Sequence, residues 1–149
     1  MRLAVASDHA GFGLKKQVVG WLQEMGHQVD DLGPAGTDSV DYPDYAHRVC
    51  ARVLSGSARR GVLICNSGIG MSMAANRHKG IRAALCLFPR MAHFARRHND
   101  ANVLVMGGGI TAPFTAREIL QAFLDEDFDG GRHQRRIGKI EPDCGGAET

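Results

Sequence analysis

Aromatic residues are scarce in this 149-residue sequence, at 6%, with one Trp and two Tyr. That leaves no basic–aromatic platform on which single-stranded nucleic acid would stack its bases. A large charge of either sign is also missing. Lys and Arg number 18 against 16 Asp and Glu, for a formal charge of +2, whereas nucleic-acid binders carry a stronger basic excess. No apolar run approaches the roughly 20 residues of a membrane-spanning helix. The start, MRLAVASDHAG, lacks a signal peptide's apolar stretch. The expected location is the cytoplasm, with neither membrane nor nucleic acid as a partner. Cys50, Cys65, Cys86 and Cys144 are scattered without a C-x-x-C pair, and they are read as free thiols. The seven histidines are dispersed; none forms an H-x-x-x-H pair backed by a carboxylate, so no metal ligand set is read. There is no internal repeat.

What is present is a globular composition, 44% hydrophobic and 23% charged, on a chain long enough for one domain with its own core. That domain is read as residues 1–142, with 143–149 as a disordered tail. Short apolar runs alternate with helical periodicity. Strands are expected at Arg2–Ala6, His27–Leu32, Gly61–Cys65, Arg82–Leu87 and Ala101–Met106. Helices are expected at Gly11–Met25, Asp44–Leu54, Ser67–Arg77, Met91–Arg97 and Thr111–Asp125, with Thr111 as a candidate cap for the last. Strands that alternate with helices pair in parallel through crossovers, and near-continuous apolar strands imply a sheet covered on both faces. The fold class is therefore α/β: a three-layer α/β/α, Rossmann-like domain with a five-stranded parallel sheet. Ligands of such sheets bind at the carboxyl ends of the strands. The chemically informative residues do follow strands: Ser7-Asp8-His9 the first, Asn66 to Gly70 the third, and Gly107-Gly108-Gly109 the fifth.

Cys65-Asn66-Ser67-Gly68-Ile69-Gly70 is the strongest local pattern. Its glycines let the backbone turn sharply and approach a ligand. The N–H groups at the following helix start attract an anion, and a cysteine there tends to ionise more readily. The set offers a base or nucleophile beside donors for an oxyanion; a buried structural thiol in a tight turn fits the segment equally well. A dinucleotide fingerprint is excluded because Met73 takes the third glycine position. A P-loop lacks its Gly-Lys-Ser/Thr ending, and a cysteine phosphatase would need arginine where Met71 stands. Asp8 and His9 suit a polar ligand, or Asp8 serves as a helix cap. His98 and Asn99, before the last strand, suit acid–base work or a solvated turn. Arg132 and Arg136 share a face if their segment is helical. They suit a phosphate, including one bound by a neighbouring subunit, or a solvated basic face.

In combination, SDHAGFGLK, DYPDYA, ICNSGIGMSMAAN, GIRAAL, RRHNDANVL and GGRHQRRI resemble the ribose-5-phosphate isomerase B family. That family includes the galactose-6-phosphate and allose-6-phosphate isomerases. The segments run in order from residue 7 to about 137. The resemblance implies a metal-free, cofactor-free aldose–ketose isomerase that works through a cis-enediolate. It also implies a homodimer or homotetramer with sites between subunits. Carried over by position, Cys65 is the base and Ser67 stabilises or relays charge. Backbone N–H groups from Asn66 through Gly68 to Gly70 hold the enediolate. His98 opens the sugar ring and Asn99 contacts substrate. Asp8, His9 and Tyr42 bind hydroxyls or phosphate, and Arg132 and Arg136 grip the phosphate.

Three positions depart from the family pattern. Asn66 stands where members commonly have glycine, and Gly109 where many have a phosphate-binding arginine. Leu87 to Met91 is an atypical version of its segment, with Arg90 a candidate replacement charge. The expected reaction is ribose 5-phosphate to ribulose 5-phosphate. Alternatives are the same chemistry on allose 6-phosphate, galactose 6-phosphate or a tetrose phosphate, a non-catalytic sugar-phosphate-binding subunit, and a redox protein using Cys65.

Overall fold

The computed structural model describes residues 1–142; the tail expected from Asp143, with Cys144, lies outside them. Five strands and six helices follow one another: β1 Arg2–Ser7, α1 Phe12–Glu24, β2 Gln28–Asp31, α2 Tyr42–Leu54, β3 Arg60–Cys65, α3 Ile69–Ala75, β4 Ala83–Leu85, α4 Pro89–Asn99, β5 Val103–Gly107, α5 Pro113–Asp125 and α6 Arg132–Ile137. All pairings are parallel, in the order β2-β1-β3-β5-β4. The expected α/β class and five-stranded parallel sheet are therefore present.

Side chains alternate across the central strands, as the two-residue period of a strand requires. Leu3, Val5, Val62, Ile64, Leu104 and Met106 face one core, shared with α1, α4 and α5. Ala4, Ala6, Leu63, Cys65, Val103 and Val105 face the other, shared with α2 and α3. Right-handed crossovers explain this division: connections that run in opposite directions along the sheet put their helices on opposite faces. Cys65 thus belongs to the α2–α3 face.

Local chemistry moves several boundaries. α2 begins at Tyr42, two residues before the expected start, because Pro43 sits in its first turn, where a missing N–H costs nothing. Pro89 does the same for α4. β4 shrinks to three residues at the sheet edge. Ala112, not Thr111, is the N-cap of α5; the Thr111 hydroxyl is buried without a hydrogen-bond partner. Asp8 does not cap α1 at the N-cap position, which is Gly11; its Oδ1 accepts the Gly11 N–H at 2.8 Å.

A lysine lies in the buried face of α1, which the apolar spacing did not include. Lys15 is 1% exposed. Its Nζ donates to Asp31 at 2.7 and 2.9 Å and to the Pro34 carbonyl at 2.8 Å. Asp31 also accepts the Gly33 N–H at 2.9 Å. One buried cation thus ties α1 and the end of β2 to the loop 33–41. Replacing Asp31→Asn leaves that ammonium without a countercharge. We expect a loss of about 2 kcal/mol, the Asp31 side being partly solvated, seen as a lower urea midpoint at unchanged m-value.

Candidate active site

β1, β3 and β5 are separated in sequence but adjacent in the sheet. Their carboxyl ends, and the three segments that follow them, therefore converge. Glycines make the convergence possible. A Cβ on Gly11 would lie 2.8 Å from the Ile64 carbonyl carbon, one on Gly107 2.8 Å from that of Ser67, and one on Gly108 3.1 Å from the Gly11 Cα. Backbone bonds fasten the segments: Asp8 N–H to Ile64 O at 3.0 Å, Gly108 N–H to Cys65 O at 2.7 Å, and Gly109 N–H to Asn66 O at 2.9 Å. Gly68 turns the chain into α3 with φ 81°, a left-handed conformation open to glycine at little cost.

Cys65 ends β3 and is 5% exposed. Its Sγ accepts the Gly68 N–H at 3.1 Å. The Ser67 hydroxyl accepts the Ile69 N–H at 3.3 Å. The N–H groups of Gly70 and Met71, in the first turn of α3, have no acceptor among the described residues. The Tyr42 ring lies against Gly70, where an added Cβ would sit 2.7 Å from Cζ. On the β1 side, the Nδ1 of His9 accepts the Val40 N–H at 3.2 Å. A neutral His9 therefore carries its proton on Nε2, free to donate. Asp8 Oδ1 is engaged with Gly11. Asp8, His9, Tyr42, Cys65, Asn66, Ser67, Gly68 and Gly70 thus gather at one edge of the sheet.

The other expected residues lie elsewhere. α4 runs from the carboxyl end of β4 back to the amino end of β5, so His98 and Asn99, at its last turn, sit at the opposite edge from Cys65. Arg82, just before β4, donates to the Asn99 carbonyl there at 3.0 Å. α6 packs beside this end of α4 and carries exposed Arg132 and Arg136. The His98 ring stacks on His133 of α6, with centroids 4.3 Å apart and planes 4° from parallel, and on Phe94 at 4.9 Å. Arg90 lies over Phe94 at 5.2 Å. Asp129 stands 4.0 Å from His98 Nε2 and accepts Arg97 Nε–H at 2.8 Å. That hydrogen bond holds the Asp129 carboxyl below the ordinary carboxylate range. Desolvation first, then the charges of His98, Arg132 and Arg136, lower the His133 pKa. Phe94, Asp129 and His133 were not singled out from the sequence; only His133, inside GGRHQRRI, had a trace there.

His98, Asp129 and His133 offer ligand atoms within 4.8 Å of one another. The parallel stack is a poor chelator. Imidazole lone pairs lie in the ring plane, and two planes 4° apart and stacked face to face do not meet at one metal position. Two surface concavities, of about 390 Å³ beside Arg90 and Phe94 and about 260 Å³ beside Asn99 and Arg82, do not include Cys65.

Residues 3–140 match the Ribose/Galactose Isomerase family. The chain belongs to that family. It is 42% identical over 139 residues to ribose-5-phosphate isomerase B of Escherichia coli, covering 93% of each chain. It is 53% identical to a ribose 5-phosphate isomerase structure from Thermotoga maritima, with a TM-score of 0.92 and coverage of 93% of this chain and 96% of that one. For the ribose-5-phosphate isomerase B structure from Clostridium thermocellum the values are 44%, 0.93, and 94% and 95%. The chain is a sugar phosphate isomerase. Among the described residues no helix is long and apolar enough to cross a membrane.

Two further thiols of this isomerase are buried. Burial pushes Cys50 up to about 11 and Cys86 up to about 12, so both stay protonated, and enclosed, at pH 8. After iodoacetamide treatment of the native protein at pH 8, peptide mapping should show Cys50 and Cys86 unmodified; denaturation before treatment should label both.

Proposed function

We propose that this isomerase interconverts ribose 5-phosphate and ribulose 5-phosphate through a cis-enediolate, with Cys65 as the base. The observation that carries the reading is the Gly68 N–H held 3.1 Å from Cys65 Sγ at the carboxyl edge of the sheet. Proton abstraction beside a carbonyl needs a base poised near neutral pH and donors set where the oxyanion forms. The Cys65 thiolate takes the proton from C2 of the open-chain aldose and returns it to C1. A proton passes from O2 to O1, with Ser67 as relay. The free N–H groups at the start of α3, Gly70 among them, receive the enediolate charge. Asp8, His9 and Tyr42 bind hydroxyls along the sugar; His9 donates from Nε2.

Ring opening and phosphate binding fall to His98, Asn99, Arg132 and Arg136. These lie at the far edge of the same chain, so a second copy supplies them: the working unit is a homodimer, alone or within a homotetramer. Two features support this. Arg90, which opens α4 at the Cys65 edge, lies over the Phe94 ring, on the opposite face of the sheet from Cys65. α3 also carries Ile69 and Met73, 50% and 64% exposed, an apolar surface that a second copy would cover. The phosphate clamp supplies binding energy remote from the reacting carbons, which can be used to position them. The same chemistry on allose 6-phosphate, galactose 6-phosphate or a tetrose phosphate differs in the length of sugar between clamp and base and in the configuration of its hydroxyls.

Two measurements test the proposal. In D₂O with EDTA, proton NMR of four- to six-carbon aldose phosphates should show ribose 5-phosphate turned over fastest, with deuterium entering at C1 of the ketose and, on reversal, at C2 of the aldose; silence across the panel would defeat the isomerase assignment for these sugars. Cys65→Ala and His98→Ala should each remove most turnover. Unfolded and refolded together in equal amounts, they should recover about a quarter of wild-type activity, because half the dimers are mixed and each has one intact site of two. No recovery would place both residues in a site within one chain.

A further inference from the structure

Asn66 and Gly109 face each other across the carboxyl ends of β3 and β5. The Gly109 N–H donates to the Asn66 carbonyl at 2.9 Å. The Asn66 carboxamide lies over Gly109: a Cβ there would overlap Oδ1, and would sit 3.1 Å from Cγ and 3.2 Å from the Asn66 carbonyl oxygen. Gly109 does not have positive φ, so its backbone conformation does not demand glycine. The restriction comes from the Asn66 side chain. That side chain is exposed, follows Cys65 directly, and makes no hydrogen bond to another described residue, although its carboxamide has two donors and an acceptor to satisfy.

We propose that Asn66 and Gly109 act as one specificity-determining unit, in which the missing side chain at 109 seats the Asn66 carboxamide beside Cys65 to contact a sugar hydroxyl. This rests on the isomerase reading above. A neutral amide that both donates and accepts matches a hydroxyl, which does the same; it supplies no charge for a phosphate dianion. Asn66 follows the base in sequence and its carboxamide lies at the same carboxyl edge, over Gly109, so the contact falls near the reacting carbons and discriminates by hydroxyl arrangement near C1–C3. The clamp on Arg132 and Arg136 senses chain length instead.

A double-mutant cycle tests the pairing. Gly109→Ala displaces the carboxamide and Asn66→Gly removes it. Each should lower kcat/KM for the preferred aldose phosphate about tenfold, the value of one hydrogen bond near 1.4 kcal/mol, and both should flatten the preference among stereoisomeric aldose phosphates. The double variant should be no worse than Asn66→Gly, because the added methyl then has no carboxamide to displace. Independent, multiplicative losses, or an unchanged stereoisomer preference in both single variants, would overturn the proposal. Thermal melting gives an arm that does not depend on turnover: Gly109→Ala should lower Tm in the parent and cost less in the Asn66→Gly background. An equal cost in both backgrounds would overturn the steric pairing even in an active enzyme. Turnover of no aldose phosphate by the parent would defeat the isomerase reading itself, and the sugar contact with it.

Discussion

Close approach of three backbone segments at the carboxyl ends of β1, β3 and β5 is the constraint on which the site depends. Gly11 lies against Ile64 and Gly107 against Ser67 at separations that leave no room for a Cβ, and Gly108 lies tightly against Gly11. Interiors are packed too densely to absorb an added methyl without displacing a neighbour. With the segments pressed together, Gly108 and Gly109 donate to the carbonyls of Cys65 and Asn66. The peptide groups of the cysteine loop are then oriented as a rigid body. The Gly68 N–H meets Cys65 Sγ, and the first turn of α3 presents its remaining donors. The order of this loop is largely a consequence of glycine packing.

A second layer fixes the rim. Buried Lys15 binds Asp31 and the Pro34 carbonyl. This anchors the start of the loop 33–41, whose Val40 N–H then sets the His9 tautomer. A charge enclosed by α1 thus reaches the ligand side through one loop. The thiols follow the same logic of environment. Cys50 and Cys86 sit in apolar surroundings that keep them protonated. Cys65, also buried, ends a strand, where the Gly68 N–H donates to its Sγ.

The separation of His98 and Asn99 from Cys65 follows from topology, and α6 packs Arg132 and Arg136 beside that end of α4. A helix between parallel neighbouring strands must return to the sheet's amino edge, so residues in its last turn cannot lie beside a group at the carboxyl edge of the same chain. The stack of Phe94, His98 and His133 orients the imidazole at that far edge.

The alternation of apolar strands and amphipathic helices was legible in the sequence because strand and helix periods differ, and five of the six helices and every strand were found by it. Residues following the first, third and fifth strands stood out as polar or glycine-rich, which marked Asp8, His9 and Cys65 to Gly70. Family resemblance supplied roles for His98, Arg132 and Arg136. Boundaries shifted where a proline opened a helix, and α6 was too short to show a period. The sequence contains no statement of strand order. Only the tertiary structure places β1, β3 and β5 side by side, buries Lys15, stacks His133 on His98 and sets the Asn66 carboxamide over Gly109. Periodicity is a local property that each segment carries by itself; adjacency arises from long-range packing, in which residues dozens of positions apart exclude one another from the same volume.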